Sequence, residues 1–299
     1  MTTLQDSRLE HLLLSKNRKH RKKQVFGMTV APVAGLNIQS LTLSSAEQAA
    51  NANSLVGWRL QYDQLSCGSF DGFIQQIQLP DAVVIRESSN QRVHQHGQMN
   101  QSSYGLALPM RMSGSSSFHA HMVSVNSLLL GSGDELDLCT SERFELAGLV
   151  VNKTLLDTIW ADLFAGASVP FATLHFAKLT DGVASETLRQ AFRLAFDVAR
   201  YEPTFNPLLL RDALIESWVG VLSKDEVIPD LRAASARQRL VHRTIDTLHT
   251  LIEAGDGHMP TLLTLCRHVG ASPRKLNYCF QETLGLSPKN YLRAYRLNQ

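Results

Sequence analysis

From Trp58 to Leu65 (Trp58-Arg59-Leu60-Gln61-Tyr62-Asp63-Gln64-Leu65) apolar and polar side chains alternate, the period-two pattern of a strand with one buried face. Further extended runs follow from Phe70 to Leu79, Ala82 to Arg86, Tyr104 to Leu108, Phe118 to Val125 and Phe144 to Val151. Turn residues separate them: Gly68, Pro80-Asp81, Pro109, Gly114-Ser115-Ser116-Ser117 and Gly131-Ser132-Gly133-Asp134. Short strands punctuated in this way predict a β-barrel or a double-stranded β-helix. A polar, alanine-containing stretch from Ala46 to Asn53 predicts one short helix ahead of them.

Beyond Asn152 the period lengthens. Leu155, Leu156, Ile159, Trp160 and Leu163 recur at helical spacing, and so do Leu188, Ala191, Phe192, Ala195, Phe196 and Ala199, with Ser185 as a candidate cap. Pro203 and Pro207 close that helix and open another, carrying Leu208, Leu209, Leu210, Leu214, Trp218 and Leu222. Apolar helices after a β unit predict an α+β fold whose helices pack together, a cover for the barrel being one of two open roles for them. Ser223 to Ser235, with Pro229, reads as a linker. From Ala236 to Ala254, Leu240, Val241, Ile245, Leu248, Leu251 and Ile252 predict a long amphipathic helix ended by Gly255-Asp256-Gly257.

The last forty residues have the strongest local grammar. Leu262, Leu263 and Leu265 lead into Cys266-Arg267-His268-Val269, a short helix broken by Gly270-Ala271. Ser272 suits an N-cap and Pro273 the first helical position. Leu276, Cys279 and Phe280 then form one buried stripe, which leaves Arg274, Lys275, Asn277, Tyr278 and Gln281 outward. Gly285 ends that helix, and Ser287-Pro288 starts a third with Tyr291, Leu292 and Leu297. Helix, glycine turn, and helix with basic and amide side chains outward is the layout of a helix-turn-helix DNA reader.

Ser272-Pro273-Arg274-Lys275-Leu276, Phe280, Gly285, Ser287-Pro288, Tyr291-Leu292 and Arg296-Leu297 together resemble the signature of AraC-type (AraC/XylS) transcription regulators. The resemblance implies a cupin-like effector-binding and dimerisation domain over 25–225, a linker over 226–236 and a DNA-binding domain over 237–299; the clustered like charges ahead of them mark 1–24 as a basic, disordered tail. Within the first of these, Trp58, Tyr62-Asp63-Gln64-Leu65 and Gly68-Ser69-Phe70-Asp71-Gly72 are similar to the effector domain of ethanolamine-operon regulators. It also implies a dimer contact through the helices after Asn152 and activation through RNA polymerase. In the family a helix beginning at this Arg-Leu leads to a second reader, whereas here Arg296-Leu297 is followed by Asn298 and Gln299. A truncated reader is therefore expected, and with it the alternative of a sensor or decoy that keeps effector binding or dimerisation without operator binding.

Charge sharpens the division. The net charge is +2, but residues 258–299 carry six basic side chains against Glu282, and residues 1–23 carry seven against Asp6 and Glu10. Each end is thus +5 and the middle −8, basic termini on an acidic body. The run Lys16-Asn17-Arg18-Lys19-His20-Arg21-Lys22-Lys23 is either a solvated tail or an arm that adds phosphate contacts. Cys67, Cys139, Cys266 and Cys279 show no paired spacing and read as reduced, hence cytoplasmic. No apolar run is long enough for a membrane span and no signal peptide is expected.

On the helix from Ser272, Arg274 suits a guanine edge, Asn277 an adenine edge, and Tyr278 a hydroxyl or stacking contact. Lys275, Gln281, Ser287, Lys289, Arg293 and Arg296 suit phosphate or positioning contacts. In the β unit, Trp58, Tyr62 and Tyr104 with Glu87 are candidates for holding an amine effector, and His94 and His96 are candidate lining residues. His94 with His96, and His119 with His121, each place two imidazoles on one strand face. After His96, however, Gly97-Gln98-Met99-Asn100-Gln101 lacks the glutamate of metal-dependent cupins, so no metal, no cofactor and no enzyme activity are expected, a metal-dependent cupin enzyme being the lesser alternative. No Ser-His-Asp, Walker or dinucleotide pattern points to other catalysis. The expected partners are double-stranded DNA, RNA polymerase, a small-molecule effector and a second copy of the chain.

Overall fold

The computed structural model describes residues 35–54, 57–119, 121–133, 135–169, 176–180, 182–223, 227–229, 236–254 and 259–297. The basic tail, the Gly255-Asp256-Gly257 terminator and Asn298-Gln299 lie outside them. The chain is α+β. Its strands are β1 (Ile38–Leu43), β2 (Arg59–Gln64), β3 (Gly72–Leu79), β4 (Ala82–Ser89), β5 (Val93–Gln98), β6 (Ser103–Arg111), β7 (Ser116–Phe118), β8 (His121–Val123), β9 (Ser127–Gly131), β10 (Glu135–Cys139), β11 (Phe144–Asn152), β12 (Phe176–Leu179) and β13 (Val227–Pro229). They form two antiparallel sheets, β1-β3-β4-β11-β6-β9-β12-β13 and β2-β5-β10-β7-β8.

The described strands do not close into the expected barrel. From β4 to β11 the chain changes sheet at every turn but the β7–β8 hairpin (β4 to β5, β5 to β6, β6 to β7, β8 to β9, β9 to β10, β10 to β11), and each change interrupts the hydrogen-bonded ladder. The two sheets instead face each other across a core of Leu60, Tyr62, Ile74, Val93, Phe118, Leu129, Leu138, Phe144 and Phe176. The larger sheet is buried on its other face as well. There Ile77, Val84, Leu106, Leu108, Leu128, Leu149 and Val151 pack beneath α2 (Lys153–Leu163), α3 (Gly182–Tyr201) and α4 (Pro207–Leu222). These helices therefore cover the sheet.

Several local expectations shift for identifiable reasons. Pro109 lies inside β6 rather than at its end, where a one-residue register shift against Glu145/Leu146 accommodates its missing donor. The Phe118–Val125 run is split into the β7–β8 hairpin, with His119 at φ +43 in the turn. Ser185 does not cap α3 but lies within it, donating to Asn126 Oδ1 at 2.8 Å. The linker contributes β13, which pairs with β12 at the sheet edge, a place that tolerates Pro229.

The short helix is α1 (Ala46–Asn53), capped by Ser45. The C-terminal unit comprises α5 (Ala236–Ala254), α6 (Leu262–Val269), α7 (Pro273–Leu284) and α8 (Pro288–Leu297). Its own core holds Leu240, Val241, Ile245, Leu248, Leu265, Val269, Leu276, Phe280 and Tyr291. Leu263 departs from the apolar face and is 61% exposed. All four cysteines are free, Cys67 exposed and the others buried. Among the described residues no helix is long and apolar enough to cross a membrane.

Candidate functional site

The helix-turn-helix is assembled by local chemistry. Thr261 and Ser272 each accept a hydrogen bond from the backbone N–H three residues on, capping α6 and α7. Gly270 and Gly285 close those helices in the left-handed region, at φ +64 and +67, where a side chain would be strained. Arg243 reaches from α5 to donate to the Val269 carbonyl at 2.8 Å, placing a cation at the C-terminus of α6.

With Leu276, Cys279 and Phe280 buried, the other side of α7 is free. Arg274, Lys275, Asn277, Tyr278 and Gln281 are all exposed. Lys289, Arg293 and Arg296 are exposed on α8, and Ser287 is half-buried with its hydroxyl accepting from the Asn290 backbone N–H. Ser272 and Ser287 therefore spend their side chains as caps. Arg237 of α5, absent from the sequence-derived set, donates to Tyr278 Oη at 3.2 Å and lies 5.5 Å from its ring centroid. It also pairs with Glu282 at 3.3 Å, so the acid on this face is partly neutralised.

A second feature lies between the sheets. A cavity of about 50 Å³ is lined by Trp58, Tyr62, Glu87, Asn53, Gln95, Met99 and a ring of aliphatic side chains. Glu87 accepts hydrogen bonds from Tyr62 Oη at 3.0 Å, Asn53 Nδ2 at 3.3 Å and Gln95 Nε2 at 2.9 Å. Burial pushes its carboxyl up to about 7, against the lowering effect of those three donors. The same burial, with the neighbouring Glu87, holds the Tyr62 phenol well above its ordinary value.

Of the six candidate lining residues, Trp58, Tyr62 and Glu87 lie around this cavity and three do not. Tyr104 lies on the helix-covered face of the large sheet and donates to Asp157 Oδ1 at 2.8 Å. His94 and His96 sit on the opposite face of β5 from Gln95, turned away from the cavity. The second pair is separated too, since His121 stacks on Phe176 at 4.8 Å while His119 meets the edge of Phe118.

The outer face of β2, β5 and β10 carries the C-terminal unit. Asp137 bridges His94 Nε2 at 2.7 Å and His242 Nε2 of α5 at 2.6 Å. Burial alone would raise the Asp137 carboxyl, but the hydrogen bonds from His242 and His94 outweigh it and hold the group far below the usual carboxylate range. Burial also lowers His94, while Asp137 raises His242 against its own desolvation. Tyr291 of α8 donates to Asp63 Oδ2 at 2.5 Å, and Arg92 donates to the Leu284 carbonyl at the C-terminus of α7.

The sequence reading missed Asp63, Asp137, His242 and His249 as a group. Its one trace is the i,i+7 spacing of His242 and His249, which puts both on one side of α5.

No protein-family model matches the chain. Among solved structures it is similar to the crystal structure of the AraC-like transcriptional activator CuxR, at 15% identity over 87% of this chain and 94% of that one, with a TM-score of 0.44. It is also similar to ToxT from Vibrio cholerae O395, at 8% identity over 80% of this chain and 79% of that one, with a TM-score of 0.28. A further crystal form of ToxT from Vibrio cholerae aligns at 9% identity over 88% and 81%, with a TM-score of 0.25.

Proposed function

We propose that this chain is an AraC-type, DNA-binding transcription regulator that takes a small cationic effector beside Glu87. The observation that carries the reading is the exposed row on α7. Arg274, Asn277 and Tyr278 stand in solvent on a capped helix whose other side is buried in its own core. Arg274 then reads a guanine edge and Asn277 an adenine edge in the major groove, with Arg237 holding Tyr278 in place. Lys275, Gln281, Lys289, Arg293 and Arg296 meet phosphates, and the capped starts of α7 and α8 leave first-turn N–H groups for the same purpose.

The cavity supports the effector half. Its volume admits roughly three to five water-sized groups, and an ammonium group placed there would turn Glu87 from a protonated acid into a paired carboxylate. The motif resemblance from Ser272 to Leu297 extends the reading to activation through RNA polymerase, to a homodimer and to a cytoplasmic binding protein rather than an enzyme.

Duplexes selected from a randomised pool and titrated against scrambled DNA test the DNA-binding half. Arg274→Ala is expected to cut the specific-over-random ratio about 10- to 100-fold, as the loss of one bidentate base contact does. Equal losses on both duplexes would remove Arg274 from base recognition. A thermal-shift screen of small primary amines tests the effector half, with stabilisation expected for the native chain and lost in Glu87→Gln.

A further inference from the structure

The clearest chemistry left unused by that reading lies where α5 meets the small sheet. Among the described residues, Asp63, His96 and His249 present one ligand atom each, all within 4.8 Å of one another. Asp63 and His96 come from the paired strands β2 and β5, and His249 comes from α5. Two edges of the triangle are short: His96 Nε2 lies 3.3 Å and His249 Nε2 3.8 Å from the same Asp63 Oδ2. A tetrahedral ion with bonds of about 2.1 Å separates its ligands by about 3.4 Å. The Asp63–His96 edge already matches, whereas the His249 ring, now stacked on His96 with centroids 5.1 Å apart, must turn and close in for its lone pair to meet the same ion.

We propose that Asp63, His96 and His249 form a binding site for a divalent transition metal of the zinc class, which fastens the C-terminal helical unit to the five-stranded sheet. His249 Nε2 is buried without a hydrogen-bond partner, and 3.8 Å from Asp63 is too far to supply one. A cation at the centre of the three satisfies that lone pair. The donor set selects the class of ion, since two imidazoles and one carboxylate suit zinc, nickel, copper or iron, whereas calcium and magnesium favour oxygen ligands. The surroundings also serve the site. Tyr291 donates to Asp63 Oδ2 at 2.5 Å and orients the carboxylate, and the His94 ring stacks on His96 with centroids 4.7 Å apart. Three protein ligands leave a fourth position for water.

The site is independent of the DNA reading and is tested without DNA. The 299-residue chain is stripped with chelator, then titrated with Zn²⁺ against a chromophoric competitor and with Co²⁺ followed by visible absorption. One equivalent of each is expected, with the Co²⁺ spectrum of a site of low coordination number. His96→Ala and His249→Ala are each expected to weaken Zn²⁺ binding by about 10- to 100-fold or more, and Asp63→Asn to alter the Co²⁺ spectrum. His268→Ala, an exposed histidine of α6, keeps native binding. Circular dichroism establishes that each variant is folded. Absence of stoichiometric binding, or native affinity retained by folded His96→Ala and His249→Ala, would overturn the site.

Discussion

Replacing Glu87 by glutamine preserves the shape of the cavity wall and removes its carboxyl. The folded chain holds the Glu87 proton up to about pH 7, whereas the group ordinarily loses it near 4.5. Because the unfolded chain releases this proton first, the native protein loses stability as pH climbs from about 4.5 through about 7 and levels off above. At 1.36 kcal/mol per pH unit, the displacement amounts to about 3 kcal/mol. No discount for solvent applies, since the carboxyl sits in the closed interior with Tyr62, Asn53 and Gln95 as its hydrogen-bond partners. Glutamine mimics the neutral acid, so the variant should lack this decline. Urea unfolding at pH 5 and pH 8, followed by tryptophan fluorescence with Trp58 in the cavity wall, measures both proteins. Because part of the loss precedes pH 5, the stability of Glu87→Gln relative to the native chain should rise by about 2–3 kcal/mol between the two pH values, or about 4–12 °C in Tm. A difference that stays constant with pH would show that Glu87 does not titrate in this range, and the account of its burial would fail.

Other consequences are equally direct. Lys289→Ala should weaken binding evenly on specific and random duplexes and lower the salt slope by about one ion, measured by fluorescence anisotropy across salt concentrations. Ser272→Ala removes the N-cap of α7 and should cost about 1 kcal/mol in chemical denaturation, while Ser272→Gly should cost only a few tenths. Leu276→Ala opens a void in the core of the C-terminal unit and should cost about 2–5 kcal/mol, with specific DNA binding lost on warming before the β unit unfolds. Gly270→Ala meets no neighbouring atom yet must hold φ +64, so a loss of about 1 kcal/mol should appear from backbone strain alone.

Where neighbours along the chain decide structure, the residues were sufficient. Ser272, Pro273, Gly270 and Gly285 mark the ends of α6 and α7 because capping and left-handed turns depend on atoms a few bonds away. The exposed row on α7 was legible for the same reason: helical periodicity assigns a face without knowledge of what covers the other. Strand β9 lay outside the runs read from alternation, its three consecutive leucines being buried on both faces, where alternation leaves no signal.

Strand β5 shows what only the tertiary structure decided. Period two correctly placed His94 and His96 together, but His94 and Gln95, on opposite faces, are both buried. One face looks into the cavity and the other meets α5 and α8, so polarity could not say which histidines would line the pocket. Tyr291 meets Asp63 across 228 positions of sequence, and His242 meets Asp137 across 105. Such pairs arise because the C-terminal unit docks on the outer face of the small sheet, an event to which every part of the chain contributes and which no local pattern encodes.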